Sequence, residues 1–312
     1  MAEDGLIFDR ALLRRRRARA ALLGPATFLL DHVATELTDR LAAITRRFAL
    51  AADIGSPTAA LHRALRSTTQ VDTLIGVAAC GAFGQDPGPT IRADEEALPF
   101  KDAALDLVVS ALCLQFVNDL PGTLLQIRCA LKPDGLFLAA LLGEATLTEL
   151  RQAFAAAETE IEGGLSPRVA PFVDVRTLGA LLQRAGFALP VVDRDRLTVR
   201  YDSAFALMGD LRRMGATNVL IERRRTPLRR ATLMRAAEIY AARFADQDRR
   251  VRATFDVLWV SGWAPDPSQQ QPLRPGSAQA RLADALGTTE ISAGEGAPVP
   301  RRSAGAPFIA AR

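Results

Sequence analysis

Histidine is nearly absent from this chain. His32 and His62 are the only two in 312 residues, and neither stands at a cysteine spacing that reads as a zinc site. With so few imidazoles, no two-histidine, one-carboxylate iron triad is legible, and no metal site is expected. Cysteine is scarce too. Cys80, Cys113 and Cys129 form no C-x-x-C pair and lie among apolar or small residues, which reads as free thiols in a reducing cytoplasm. Aromatics make up only 6%, too few for a stacking platform on which bases of single-stranded nucleic acid rest. No apolar run reaches the length of a membrane span. The first residues are acidic and then arginine-rich, unlike the apolar core of a secretory signal. Net charge is low as well: Lys+Arg 39 against Asp+Glu 35 leaves +4.

What is abundant is apolar surface. At 49% hydrophobic, the chain has material for a large core, and its length fits one big domain or a domain with a second lobe. The basic residues cluster at Arg14, Arg15, Arg16, Arg17 and Arg19, and again at Arg223, Arg224, Arg225, Arg229 and Arg230. Such runs are expected to be solvated helix faces rather than a surface for a polyanion.

Residues 1–47 read as a helical segment broken at Gly24-Pro25. Strand patterns at 48–54, 71–79, 105–110 and 136–142 alternate with helical patterns at 59–66 and 120–131, and Lys132-Pro133-Asp134-Gly135 reads as a turn. The run Leu105-Asp106-Leu107-Val108-Val109-Ser110 is of the continuous apolar kind that is buried on both faces of a parallel sheet. Beyond Gly143, helices are expected at 148–160, 175–185, 205–214 and 232–244, with strands at 191–199 and 251–260. Residues 48–264 thus form one α/β domain with helical insertions. The stretch 265–312 is rich in Pro, Gln, Ser, Ala and Gly and is expected to be a disordered tail, with a short helix possible at 278–286.

One segment points to chemistry. Ala93-Asp94-Glu95-Glu96-Ala97-Leu98-Pro99-Phe100 runs into the apolar strand at 105–110, and Lys132-Pro133-Asp134-Gly135 precedes the next strand. These resemble the class I S-adenosylmethionine (SAM) methyltransferases. Leu6-Ile7-Phe8-Asp9-Arg10, Leu114-Gln115-Phe116-Val117-Asn118-Asp119-Leu120-Pro121, Glu162-Gly163-Gly164-Leu165-Ser166-Pro167 and Gly215-Ala216-Thr217-Asn218 narrow the likeness. They resemble the methyltransferase-like assembly factor of mitochondrial respiratory complex I and its alphaproteobacterial relatives. More distantly they resemble the biotin-pathway methyltransferase of a malonyl carrier protein.

The resemblance implies a doubly wound, mostly parallel seven-stranded α/β sheet with SAM at the carboxyl ends of its strands. Asp53, Gly55, Ser56, Asp94, Glu95, Ser110 and Leu112 fall at the cofactor-binding positions. Gln115 and Asn118 follow the fourth strand, where substrate and cofactor meet in this fold, and each serves either catalysis or loop capping. The chain departs from the pattern in two places. The glycine-rich first turn reads Asp53-Ile54-Gly55-Ser56-Pro57-Thr58-Ala59, and the end of the second strand, Val77-Ala78-Ala79, has no carboxylate for the ribose. The implied function is a SAM-dependent methyltransferase-like protein acting on a protein substrate. The alternative is a catalytically impaired assembly factor, or an arginine hydroxylase, for a respiratory complex I subunit.

Overall fold

The computed structural model describes residues 5–79, 88–270, 284 and 286–288. Residues up to Pro267 belong to one compact unit, and those from Ser268 onward to a second. Cys80 and nearly all of the expected tail and its helix lie outside the described residues.

The sheet is built from β1 (Phe48–Ile54), β2 (Val71–Ala78), β3 (Thr90–Arg92), β4 (Leu105–Ala111), β5 (Leu131–Leu142), β6 (Ala188–Tyr201) and β7 (Val251–Trp263), in the order β3-β2-β1-β4-β5-β7-β6. All pairings from β3 to β5 are parallel, and β7 runs antiparallel to both β5 and β6. The central strands β1, β4 and β5 are mostly apolar because both faces are covered, whereas the edge strand β6, with Asp193, Arg194, Asp195 and Arg196, is largely exposed. Leu136, Leu138, Ala140 and Leu142 of β5 enter one core, and Phe137, Ala139 and Leu141 enter the other. The same period of two sends Leu107, Val109 and Ala111 of β4 one way and Val108 the other, while Leu105, before a register shift at Leu105/Leu107, joins the side of Val108.

Helices fill the two faces. α2 (Phe28–Ala42) and α3 (Ala60–Arg66) contribute to the first core, together with α5 (Thr148–Glu162), α7 (Ala204–Arg213) and α8 (Arg230–Phe244). α4 (Leu120–Ala130) and α6 (Val175–Arg184) make the second core through Leu124, Ile127, Leu178 and Leu182. α1 (Arg10–Leu22) opens where the Asp9 side chain accepts the Leu12 N–H at 2.8 Å. Gly24-Pro25 then separates it from α2, as the sequence pattern predicts. Among the described residues no helix is long and apolar enough to cross a membrane.

Two details differ from expectation. β3 is a three-residue edge strand with no apolar run to announce it. The Lys132–Gly135 turn lies inside the β5 span, where the register jumps from Leu105↔Leu131 to Leu107↔Leu136 and Asp134 takes φ 58°. The turn bulges out of the ladder without ending the strand.

Ala264, one residue past β7, closes this bulge. It is buried, its N–H donates to the Gly135 carbonyl at 2.8 Å, and its carbonyl accepts from Asp134 N at 3.1 Å. A chain ending after Trp263 loses both bonds, and one ending after Gln270 keeps them. The shorter form is expected to melt roughly 2–8 °C below the longer one in calorimetry, from about 1–3 kcal/mol of lost contacts. Equal midpoints would show that Ala264 does not hold the bulge.

Candidate functional site

The first turn after β1 is shaped around one glycine. Gly55 takes φ +70°, which side chains rarely adopt, and its N–H donates to the Val77 carbonyl at 2.7 Å. A Cβ at Gly55 would lie 2.4 Å from Cys113 Sγ and 2.6 Å from Glu95 Cγ. The other departures from a glycine-rich turn cost no backbone strain. Ala59 sits at φ −73° as the residue preceding α3, a conformation open to any residue. β1 and β4 are neighbours, with Asp53 paired to Val109, so their carboxyl ends open side by side. Just beyond β4, Leu112 is held at φ 50° and donates its N–H to the Ala140 carbonyl at 2.9 Å. A left-handed, non-glycine residue here is local strain at the cleft.

Across this opening lies α1. Arg10, Arg14 and Arg17 stand at i, i+4 and i+7 and so share one helix face. That face is turned inward. Arg10 Nη2 pairs with Asp94 Oδ1 at 2.7 Å and with the Glu95 carboxylate, and Arg14 Nη1 reaches Asp94 Oδ2 at 3.0 Å. Arg17 Nη1 is 3.9 Å from Glu95 Oε1 and 3.6 Å from Cys113 Sγ. The side chains of Arg10 and Arg17 are only 11% and 12% exposed, and Glu95 is 3% exposed. The first arginine cluster is therefore not the solvated face expected; only Arg15 and Arg19 face solvent. In the second cluster Arg223 pairs with Asp9 at 3.1 Å and Arg224 pairs with Glu162, while Arg225, Arg229 and Arg230 are exposed. Burial, and then the neighbouring Glu95 charge, push the Cys113 thiol up to about 12, so it stays protonated and inert as a nucleophile at neutral pH.

The segments between β5 and β7 of the same unit, here called the second lobe, supply the far wall. Glu158 is buried on α5 and accepts from Ser166 N at 2.8 Å and Arg168 Nε at 2.7 Å, folding the Ser166–Phe172 loop inward. Asn218 Nδ2 donates to the Pro167 carbonyl at 2.6 Å, and the Arg16 guanidinium donates to the Asn218 carbonyl. The result is a cavity of about 460 Å³, lined on the sheet side by Gly55, Pro57, Thr58, Ala78 and Leu112. Arg10, Arg17, Phe172, Met208 and Leu211 are among its other walls. This is ample for a small-molecule cofactor.

The residues expected from sequence separate into groups. Gly55, Glu95, Leu112 and Gln115 line the cavity. Gln115 is buried, and among the described residues its Oε1 has no hydrogen-bond partner. Asp94 lies beside Glu95, with both carboxylate oxygens engaged by Arg10 and Arg14. Ser110 is fully buried and its hydroxyl donates to the Ile54 carbonyl at 2.7 Å, a tie between β4 and β1. Asn118 accepts from Ile7 N at 2.9 Å and Phe8 N at 2.7 Å and donates to the Phe8 carbonyl at 3.1 Å, anchoring the segment that enters α1. Sequence reasoning missed Arg10, Arg17 and Cys113. The signal for the arginines was their helical spacing, hidden within a longer basic run.

Asp53 and Ser56 lie just beneath the turn. The Ser56 hydroxyl donates to Asp53 Oδ1 at 2.5 Å, and among the described residues Asp53 Oδ2 has no hydrogen-bond partner. The orphaned oxygen under the Gly55 turn, the positive-φ glycine and the cavity volume together fit SAM, although Glu95 and Cys113 hold the space directly in front of Gly55.

Burial raises the Asp53 carboxyl to about 7, against the Ser56 hydrogen bond, which lowers it. Its ordinary value is 3.8, so the native state keeps the proton that the unfolded chain releases. The contribution is fully present below about pH 4 and is lost as pH rises toward 7. Asp53→Asn removes this dependence. Its stability relative to the unmodified chain is expected to grow by about 4 kcal/mol between pH 4 and pH 7 and then level off, read from urea midpoints across pH. A constant difference would show that Asp53 does not titrate in this window.

Residues 51–139 match the protein family described as Methyltransferase domain. Over 280 residues the chain is 40% identical to the human protein named arginine-hydroxylase NDUFAF5, mitochondrial, covering 87% of this chain and 81% of that protein. It is 31% identical to the malonyl-[acyl-carrier protein] O-methyltransferase of Gallionella capsiferriformans (strain ES-2), over 84% of this chain and 93% of that one. The YcgJ protein of Bacillus subtilis superposes with a TM-score of 0.51 at 15% identity, over 75% of this chain and 99% of that one, a likeness of fold. With the seven-stranded sheet, its single antiparallel strand and these matches, the chain belongs to the family of the arginine-hydroxylase NDUFAF5, built on the class I methyltransferase fold.

Proposed function

We propose that the chain binds SAM at the carboxyl ends of β1 and β4 and modifies a protein substrate that reaches the cavity. The observation that carries this reading is the methyltransferase-domain match over residues 51–139, which spans the Gly55 turn, Asp94 and Leu112. Bound SAM supplies an electrophilic methyl on a sulfonium. The chain's own residues do the holding. Gly55 lets the backbone approach closely, Asp53 lies buried under the turn, and Asp94 stands at the adenosine end. Leu112 is an apolar wall, and Gln115 offers a free carboxamide oxygen to a hydrogen-bond donor of the substrate. A guanidinium, with five N–H donors, suits that acceptor.

The relatives named arginine-hydroxylases favour a second reading. The same cavity receives an arginine side chain of a respiratory complex I subunit, and the chain serves as its hydroxylase or assembly partner. On either reading residues 48–264 are the working domain and residues 1–47 its cover. The free thiols of Cys113 and Cys129 suit the reducing cytoplasm in which we place the protein.

Calorimetric titration with SAM and with S-adenosylhomocysteine tests the first reading. Weak binding is expected, with Kd of ~0.1–1 mM. Pro57→Gly restores an N–H donor at the cavity wall and is expected to tighten binding by about 1 kcal/mol, several-fold in Kd. Mass spectrometry of an arginine-bearing peptide incubated with the protein separates the readings by a gain of one methylene or of one oxygen. Absence of binding at millimolar cofactor would remove the methyltransferase reading and leave the second.

A further inference from the structure

We propose that Glu95 is a latch, held by the chain's own N-terminal helix over the cofactor turn, so that the cofactor must displace Glu95 from the space before Gly55. The inference rests on the reading that SAM binds at Gly55.

A glycine at a cofactor turn keeps the space before it clear. Here the place of the missing Cβ is approached to 2.6 Å by Glu95 Cγ and to 2.9 Å by Glu95 Oε1. Glu95 therefore leans across the turn, and at 3% exposure it has left solvent to do so. A buried carboxylate persists only with partners, and α1 brings them. Arg10 pairs with Glu95 directly, and Arg17 stands 3.9 Å from its other oxygen. Arg10 also donates to the Phe116 carbonyl at 3.3 Å, which fixes the guanidinium from the side of β4. Asp94 is closed the same way, by Arg10 and Arg14.

The helix carrying these arginines is not free to drift. Asn118 clamps Ile7 and Phe8, Asp9 N donates to the Val219 carbonyl at 2.8 Å, and Gly215 packs 3.0 Å from Arg17 Cα, measured to an added Cβ. Latch and cover are thus one unit. Asp94 and Glu95 are both paired with arginines of this helix, and opening the site requires Glu95 to leave the turn. Apparent affinity is then lower than intrinsic affinity by the fraction of molecules in which the latch is open.

The test uses the full chain and S-adenosylhomocysteine, which lacks the sulfonium charge. Calorimetry compares the unmodified protein with Glu95→Gln and Glu95→Ala, with folding verified by thermal midpoint. Glu95→Ala is expected to bind about tenfold tighter or more, with Glu95→Gln between it and the unmodified chain. Hydrogen exchange on the unmodified protein is a second readout that no variant's folding can spoil. Saturating S-adenosylhomocysteine is expected to speed exchange in residues 10–20 while slowing it in residues 54–61. Weaker or equal binding by Glu95→Ala would make Glu95 a ligand of the cofactor and overturn the latch. So would slowed exchange in α1, which would show the helix closing onto the ligand. If none of the three proteins binds at several millimolar, the cofactor reading itself fails and the latch falls with it.

Discussion

The contact on which the site depends is the set of ion pairs between Arg10, Arg14 and Arg17 of α1 and the adjacent acids Asp94 and Glu95. The acids sit between β3 and β4, and the arginines belong to a helix some eighty residues earlier in the chain. Removing one partner of such a buried pair typically costs about 3–5 kcal/mol, because the other is left charged and unsolvated. The pairs therefore fix the cover of the cavity as much as its chemistry. With α1 in place, the Phe8, Phe116 and Phe172 rings pack edge to face in series between α1, the end of β4 and the second lobe.

Beneath this cover the sheet places its carboxyl-terminal edge by register. Asp53 faces Gly76 and Val109 on the two flanking strands, so the turn at Gly55 emerges beside the left-handed Leu112. Ser110 and Ser56 serve that register. The Ser110 hydroxyl binds the end of β1, and Ser56 accepts the Ala111 N–H at 3.3 Å. Residues that look like cofactor ligands from their position in the sequence here hold two strand ends together. Among the described residues Asp53 Oδ2 and Gln115 Oε1 are different: each is buried without a hydrogen-bond partner, which is costly.

Glu158, with Ser166 and Arg168, folds the loop after α5 against the cavity, and Asn218 ties that loop to the segment that also braces α1. The Glu-Gly-Gly-Leu-Ser-Pro and Gly-Ala-Thr-Asn stretches are therefore two sides of one wall.

The sequence by itself determined the architecture. Period-two apolar runs, helical spacings and a Gly-Pro break specify strands and helices locally, and their alternation leaves few ways to cover a sheet on both faces. It also marked Gly55, because positive φ is a local demand, and the acidic pair Asp94 and Glu95, because of the motif around them. Tertiary structure alone decided what those acids do. The partner of a carboxylate is set by three-dimensional distance, and Arg10 and Arg17 lie far away in sequence, in a basic run that reads equally well as a wet surface. The burial that raises Asp53, the two loops clamped by Asn118 and Asn218, and the closing of the turn by Glu95 likewise arise only when distant segments meet. Local pattern encodes an element's shape, whereas electrostatic pairing and desolvation depend on which elements are brought together.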